Sequence, residues 1–309
     1  MHRAHLDTDI GGDIDDLCAL AMLLRWEGVE LTGITTVAEA GGRRAGYVHY
    51  ILRLEGHSHV PVAAGADVAG GFYRYPELGY PNEARYWPEP IVPAPTPPED
   101  ALELLKQSIE QQVTIIAIGP FTNLYLLDLK YPGILMKADL FLMGGYVFPI
   151  RPGFPLWNNE MDWNVQVDVR SAKHVIEHSN PTLIPLSVTV ETALRRACLN
   201  NLRTAGALGQ LLARQAEVFA EDEKNETRYG ATCEGIPPDM INFQHDPLAC
   251  AIALGWHDGV EIEEIPLVIQ EKDGWLFESI ASAGKPTRVV TKIDGLRFND
   301  FWLNQIVKR

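Results

Sequence analysis

Leu6-Asp7-Thr8-Asp9-Ile10-Gly11-Gly12-Asp13-Ile14-Asp15-Asp16 packs five aspartates into a glycine-containing turn between an apolar run and a helix-like pattern. Carboxylates this close repel one another and raise each other's pKa unless positive charge sits among them. Helix N-capping accounts for one or two of the five, since an aspartate there meets free backbone N–H groups and the positive end of the dipole. The whole cluster asks for an oxygen-ligated cation. Without nearby cysteines or paired histidines, calcium or magnesium suits such a site better than zinc. Calcium takes about six to eight oxygens, so the turn cannot complete a shell alone. The remaining oxygens must come from distant loops, water or substrate.

Around this turn the pattern alternates strand and helix. Arg3 to Leu6 reads as a strand, and Leu17, Leu20, Ala21 and Leu24 then repeat at helical spacing. Strands are predicted at Val29 to Val37, Val60 to Ala64, Val113 to Ile118, Asp139 to Met143 and Thr182 to Leu186. Helices are predicted at Arg43 to Leu54, Glu99 to Gln111, Thr122 to Leu129 and from Ser171, with a long amphipathic stretch from Leu202 to Asp222. A helix opens near His245, strands follow around Glu261 to Gln270 and Thr287 to Ile293, and a last helix closes the chain. This order predicts an α/β fold: an open, mostly parallel, Rossmann-like sheet with right-handed crossovers and helices on both faces. One domain is expected over 1–309, with irregular excursions near 70–98 and 149–160 and a mobile segment near 222–244. A long Pro-, Tyr- and Trp-rich excursion suggests a lid or an oligomer contact.

In such folds ligands bind outside the carboxyl ends of the strands. The unusual residues fall there: Asp9 to Asp16, Glu39 and Ala40, Gly119 to Asn123, and Met143 to Gly145. The 309 residues are 46% hydrophobic, enough to fill a core, and the net charge of -15 argues against nucleic acid or an anionic membrane as partner. No segment has the layout of a signal peptide or a membrane span. Cys18, Cys198, Cys233 and Cys250 are scattered, which fits free thiols in a reducing cytoplasm.

The acidic turn, Gly119-Pro120-Phe121-Thr122-Asn123, Leu142-Met143-Gly144-Gly145, Asp162-Trp163-Asn164 with Asp168, and His245-Asp246-Pro247-Leu248-Ala249 follow one another along the chain. In that order they resemble the inosine/uridine-preferring nucleoside hydrolase family, from the first strand to the last helix. The resemblance implies a calcium ion held by Asp9, Asp16, Asp246 and the backbone carbonyl of Thr122. It implies that the ion also binds the ribose 2′- and 3′-hydroxyls and the attacking water. Asp9 then matches the general base, and Asp15, Met143, Asp162 and Asn164 match ribose-contacting positions. His245 matches a residue that in some members helps protonate the departing base. A homodimer or homotetramer is also implied. Cleaving an N-glycosidic bond builds positive charge on the sugar, which a carboxylate-rich pocket stabilises. Tyr146, Trp157, Trp163 and Tyr229 are candidates to stack on the base.

The chain departs from the family in places. Ile10 replaces the usual proline, and the turn is two residues longer, which leaves Asp13 without an assigned role. Glu39-Ala40 replaces a common Gly-Asn, so a substrate-contacting amide is lost and a carboxylate appears beside it, and Asp162 stands where Glu is usual. These changes bear on substrate identity more than on bond type. Two other readings stand beside this one. The Asp7-x-Asp9 pair after a strand suggests a haloacid-dehalogenase-type phosphatase, and the altered strand-two end suggests a non-catalytic nucleoside- or ribosyl-binding protein.

Overall fold

The computed structural model describes residues 1–67 and 82–308. The chain runs β1 (His2–Thr8), α1 (Asp15–Arg25), β2 (Val29–Thr36), α2 (Arg43–Leu54), β3 (Val62–Ala64), α3 (Glu83–Tyr86), α4 (Pro98–Glu110), β4 (Thr114–Ala117), α5 (Thr122–Lys130) and β5 (Leu140–Met143). It continues through α6 (Trp163–Gln166), α7 (Val169–His178), β6 (Thr182–Ile184), α8 (Leu186–Thr189), β7 (Leu194–Arg195), α9 (Leu199–Thr204) and α10 (Gly206–Glu223). The last part comprises β8 (Met240–Asn242), α11 (His245–Ala253), β9 (Glu261–Lys272), β10 (Trp275–Ile280), β11 (Lys285–Lys292) and α12 (Gly295–Val307).

Nine strands form one sheet in the order β10-β9-β11-β6-β5-β4-β1-β2-β3. From β3 to β11 every pairing is parallel, and β9 and β10 add an antiparallel edge. The central strands are covered on both faces: β1, β4 and β5 are buried almost throughout, and β4 and β5 are correspondingly apolar. One face carries a core built from α1, α2, α9, α10, α11 and α12, including Leu20, Ile51, Leu212, Leu248 and Trp302. The other face packs α4, α5 and α7 through Leu105, Leu127 and Val175. Among the described residues no helix is long and apolar enough to cross a membrane.

Most predicted elements match to within a residue or two, and three differences have local causes. The amphipathic stretch from Leu202 breaks at Ala205, where Gly206 takes a φ of +75° and starts a second helix. β10 is an added strand, turned back by Asp273 and Gly274, both at positive φ. That is the backbone an Asp-Gly hairpin supplies. Within 222–244 the chain forms a π-helical turn at Glu226–Gly230 and then β8. The 70–98 excursion lies outside the described residues as far as 81. Beyond that, α3 and an extended run to Pro97 pack on α2, with Trp87 stacked on Tyr47 at 4.6 Å.

The carboxyl end of β1 leads directly into α1, and α12 holds α1 in place. Trp302 is wholly buried, and its indole N–H donates to the Cys18 carbonyl at 3.0 Å. Trp302→Ala should cost about 3–5 kcal/mol of stability, by lost burial and the cavity left behind. Urea unfolding followed by circular dichroism checks this.

Candidate active site

A cavity of about 580 Å³ opens above the carboxyl ends of β1, β4 and β5. Its floor is acidic. Asp15 and Asp16 occupy the first turn of α1, and Asp246 the first turn of α11, so two helix N-termini face the same carboxylates. One carboxylate oxygen from each of the three lies within 4.8 Å of the others, and all three residues are buried. Oxygens about 2.3–2.6 Å from a shared cation fit that spacing. Asp15 Oδ2 accepts from the Asp246 amide at 3.3 Å, and Asp16 Oδ1 accepts from the Thr8 hydroxyl.

Burial, then mutual repulsion, raises the pKa of Asp15, Asp16 and Asp246 well above the ordinary carboxylate range. Half-buried Asp9 is also raised by burial, although the Arg44 guanidinium and the Trp163 indole oppose the shift. Trp163 Nε1 donates to Asp9 Oδ2 at 3.3 Å. Asp13, exposed at the cavity rim, accepts from the Ile14 and Asp15 amides and from Asn242 Nδ2 of β8.

Behind the floor, Asp7 is fully buried. Its Oδ1 accepts from Thr35 at 2.6 Å and Asn123 at 2.8 Å, and burial pushes its pKa up to about 7. Asn164 Nδ2 donates to the carbonyls of Ile118 at 3.0 Å and Met143 at 3.1 Å, joining the ends of β4 and β5. Asp162 caps α6 and accepts from the Gly145 amide, and the next amide, Tyr146, goes to buried Glu278 at 3.3 Å. Burial raises Asp162 to about 7 and Glu278 to about 8.

The opposite wall is aromatic. Trp157 lies 5.5 Å from Tyr229 and 5.1 Å from Phe243, and Phe243 lies 5.2 Å from His245, all as ring-centroid distances. His245 Nδ1 is 2.7 Å from the Thr189 hydroxyl, and burial lowers its pKa to about 3, so the ring is neutral at neutral pH. A carboxylate floor, neutral imidazole and aromatic wall can hold a hydroxylated ring at one end and a flat heterocycle at the other.

The inosine-uridine preferring nucleoside hydrolase family model matches residues 4–300. The chain belongs to this family. It is 28% identical over 265 residues to the pyrimidine-specific ribonucleoside hydrolase RihA of Salmonella arizonae, covering 80% of this chain and 77% of that protein. With RihA of Citrobacter koseri it shares 26% over 302 residues, covering 93% and 86%. Its fold resembles a plant nucleoside hydrolase at TM-score 0.77 and 16% identity, covering 100% of this chain and 99% of the other. It also resembles the purine-preferring ribonucleoside hydrolase of Gardnerella vaginalis at TM-score 0.75 and 21% identity, covering 99% and 98%. The protein is therefore a hydrolase of N-glycosyl compounds on a nucleoside hydrolase fold, and the phosphatase reading falls.

Within this nucleoside hydrolase the cavity gathers Asp9, Asp15, Asp16, Met143, Asp162, Asn164, Tyr229, His245 and Asp246. Two predicted residues are not in it. Thr122 is wholly buried at the start of α5, and its hydroxyl donates to Asp168 Oδ2 at 2.5 Å. The residue of that turn that lines the cavity is Ile118, directly after β4, where Gly119 passes so close to Asp9 that a Cβ would lie 2.9 Å from its amide. Glu39 is equally enclosed. Its carboxylate accepts from the Thr36 hydroxyl at 2.6 Å and from the amides of Ala40, Arg44 and Ala45 at 2.8–3.0 Å, so it caps α2 and does not reach the cavity. Of the stacking candidates, Tyr146 is turned away, its hydroxyl on the Trp157 carbonyl at 3.1 Å. Phe243 and Arg44 line the cavity and carried no local sequence signal.

A carboxylate raised on folding binds its proton more tightly in the folded than in the unfolded state. Its contribution to stability is full below the unfolded pKa and is lost as pH rises through the folded value. Asp7, Asp162, Glu278 and the three floor aspartates all have this sign. His5 and His245, lowered to about 3, have the opposite sign, but they act only below the ordinary histidine range. Metal-free protein should therefore lose stability as pH rises from about 6.5, above which the histidines no longer contribute, to about 8, and a saturating divalent cation should flatten that slope. Thermal melts across the range, with and without chelator, check this.

Proposed function

We propose that this protein hydrolyses the N-glycosidic bond of a ribonucleoside, with calcium as its resident cation, releasing ribose and the free base. The observation that carries the reading is the convergence of Asp15, Asp16 and Asp246 from two helix N-termini within reach of one ion. The donors fit a hard cation: they are all oxygens, buried, and mutually repulsive without positive charge among them. Asp9, Asp16 and Asp246 would hold the ion with Asp15 beside them, and the Ile118 carbonyl would take the backbone position expected of Thr122. When bound, calcium supplies a positive anchor for the ribose diol and makes a neighbouring water easier to deprotonate.

Asp9, at the cavity edge and steadied by Trp163, is the base that takes the proton from the attacking water. Asp15 and Asn164 border the ribose, while Met143 and Asp162 complete that end of the cavity. The negative floor favours the positive charge that builds on the sugar as the bond to the base lengthens. At the other end Trp157, Phe243 and Tyr229 offer faces to the base. With the Thr189 hydroxyl donating to Nδ1, neutral His245 would present its Nε2 N–H as a hydrogen-bond donor to the departing nitrogen, while the proton that the base takes up comes from solvent. The related RihA proteins are named for pyrimidine ribonucleosides and a structural neighbour for purine ones, so this reading is of the bond and the ribose, for either class of base. A homodimer or homotetramer is part of the same proposal.

Base release from a panel of ribonucleosides, followed by absorbance, tests it. Turnover should disappear on chelation and return with calcium. Asp9→Asn, assayed at saturating calcium, should lower kcat by at least about 10²-fold, since a positioned base contributes about 10²–10⁴-fold. Asp246→Ala should lose calcium binding as well. Turnover that survives the chelator, or an Asp9→Asn variant as fast as wild type, would refute the reading. Tight ribose binding with no turnover of any nucleoside would instead identify a binding protein.

A further inference from the structure

We infer that Arg44 is a positioning residue for the cation site, the anchor that fixes the main chain of the acidic turn so that Asp9 faces the cavity; this rests on the calcium reading above. Arg44 is 2% exposed, yet it lines the cavity. Its Nε donates to the Ala38 carbonyl at 2.9 Å, and its Nη1 donates to the carbonyls of Asp9 and, at 2.9 Å, Ile10. One guanidinium thus ties the end of β2 to the turn that follows β1. Ala38 adopts the left-handed region, φ +49°, a strained conformation for a residue with a side chain, and its carbonyl is one that Arg44 grips.

The arginine is itself held on three sides. Glu39 accepts from the Arg44 amide at 3.0 Å and caps the first turn of α2. On the outer side Gly42 and Gly46 leave no room for a Cβ, because the main chain of the 91–95 run passes directly over them. One turn further, Tyr47 presses its ring on Gly11, which has a φ of +107° and likewise no room for a Cβ. Successive residues of the acidic turn, Asp9, Ile10 and Gly11, are therefore gripped by Arg44, Arg44 and Tyr47. The Glu39-Ala40 departure acquires a purpose here: the carboxylate secures the helix start that delivers the arginine.

A planar fork is needed for this task. Lysine carries the same charge but cannot hold carbonyls from two loops in one plane. Groups that orient metal ligands from behind are worth about 10- to 100-fold in metal affinity. Calcium titrated calorimetrically into wild type and Arg44→Lys should show binding weakened by about that factor. Millimolar guanidinium should restore part of the affinity of Arg44→Ala. Should Arg44→Lys fail to fold, Glu39→Gln serves instead, with a smaller loss of the same sign. Wild-type affinity in Arg44→Lys or Glu39→Gln overturns the inference. Tighter binding in Arg44→Met also overturns it, because the guanidinium would then act only as a charge competing with the ion. A wild type that binds no calcium removes the calcium reading itself, an outcome distinct from either.

Discussion

Three buried carboxylates from two helices meeting at one point is the arrangement on which this structure depends. Asp15 and Asp16 begin α1, Asp246 begins α11, and the two helices pack side by side on one face of the sheet. Each helix offers the positive end of its dipole and unpaired amides, which partly offset the cost of burying negative charge. They do not cancel it, since burial and repulsion still push all three pKa values far upward. A fold that spends stability in this way has its charge balance completed by something else. The buried cation nearest to hand, Arg44, acts on Asp9 and Asp16 but is tied to carbonyls, so a divalent ion is the natural remainder.

The rest of the architecture keeps those carboxylates where they are. β1 lies between β2 and β4, so the acidic turn issues from the middle of a parallel sheet. α12 fastens α1 through Trp302, and the ends of β4 and β5 are bridged by Asn164. The antiparallel edge contributes indirectly. Gln166 exchanges two 2.9 Å hydrogen bonds with the backbone of Leu276 in β10, and Asn159 adds a third at 3.0 Å. Those bonds anchor the 159–166 segment that brings Asp162, Trp163 and Asn164 to the cavity.

Much of this was legible in the sequence, because apolar periodicity and strand-end position are local signals. Arg43–Leu54 forms the helix its pattern specifies, and every carboxylate assigned from the acidic turn and the His245-Asp246-Pro247 segment lines the cavity. What escaped was non-local. Thr122 was assigned through the family resemblance, and the sequence does not show which carbonyl of that segment lies beside the cavity, where Ile118 stands. Glu39 was read as facing substrate because its strand end points there, whereas five residues later the chain turns back and supplies amides that consume the carboxylate. Arg44 gave no local signal in the sequence, and only the approach of Asp9, Ile10 and Ala38 reveals its burial. The β10 strand did have a local sign, Asp273-Gly274 between alternating residues.

The cavity divides into two parts with different structural origins. The carboxylate floor comes from the sheet's strand ends and two long helices, all tied into the two large cores. The aromatic wall comes from elsewhere: Trp157 from an irregular loop, Tyr229 from a π-helical turn, and Phe243 from the approach to α11. These rest on a small satellite core of Phe154, Val190, Ala193, Ile236, Met240 and Phe243. On the proposed reading, the contacts that meet charge building on the sugar come from the strand ends and their helices, and the contacts that meet the base come from the segments around the satellite core.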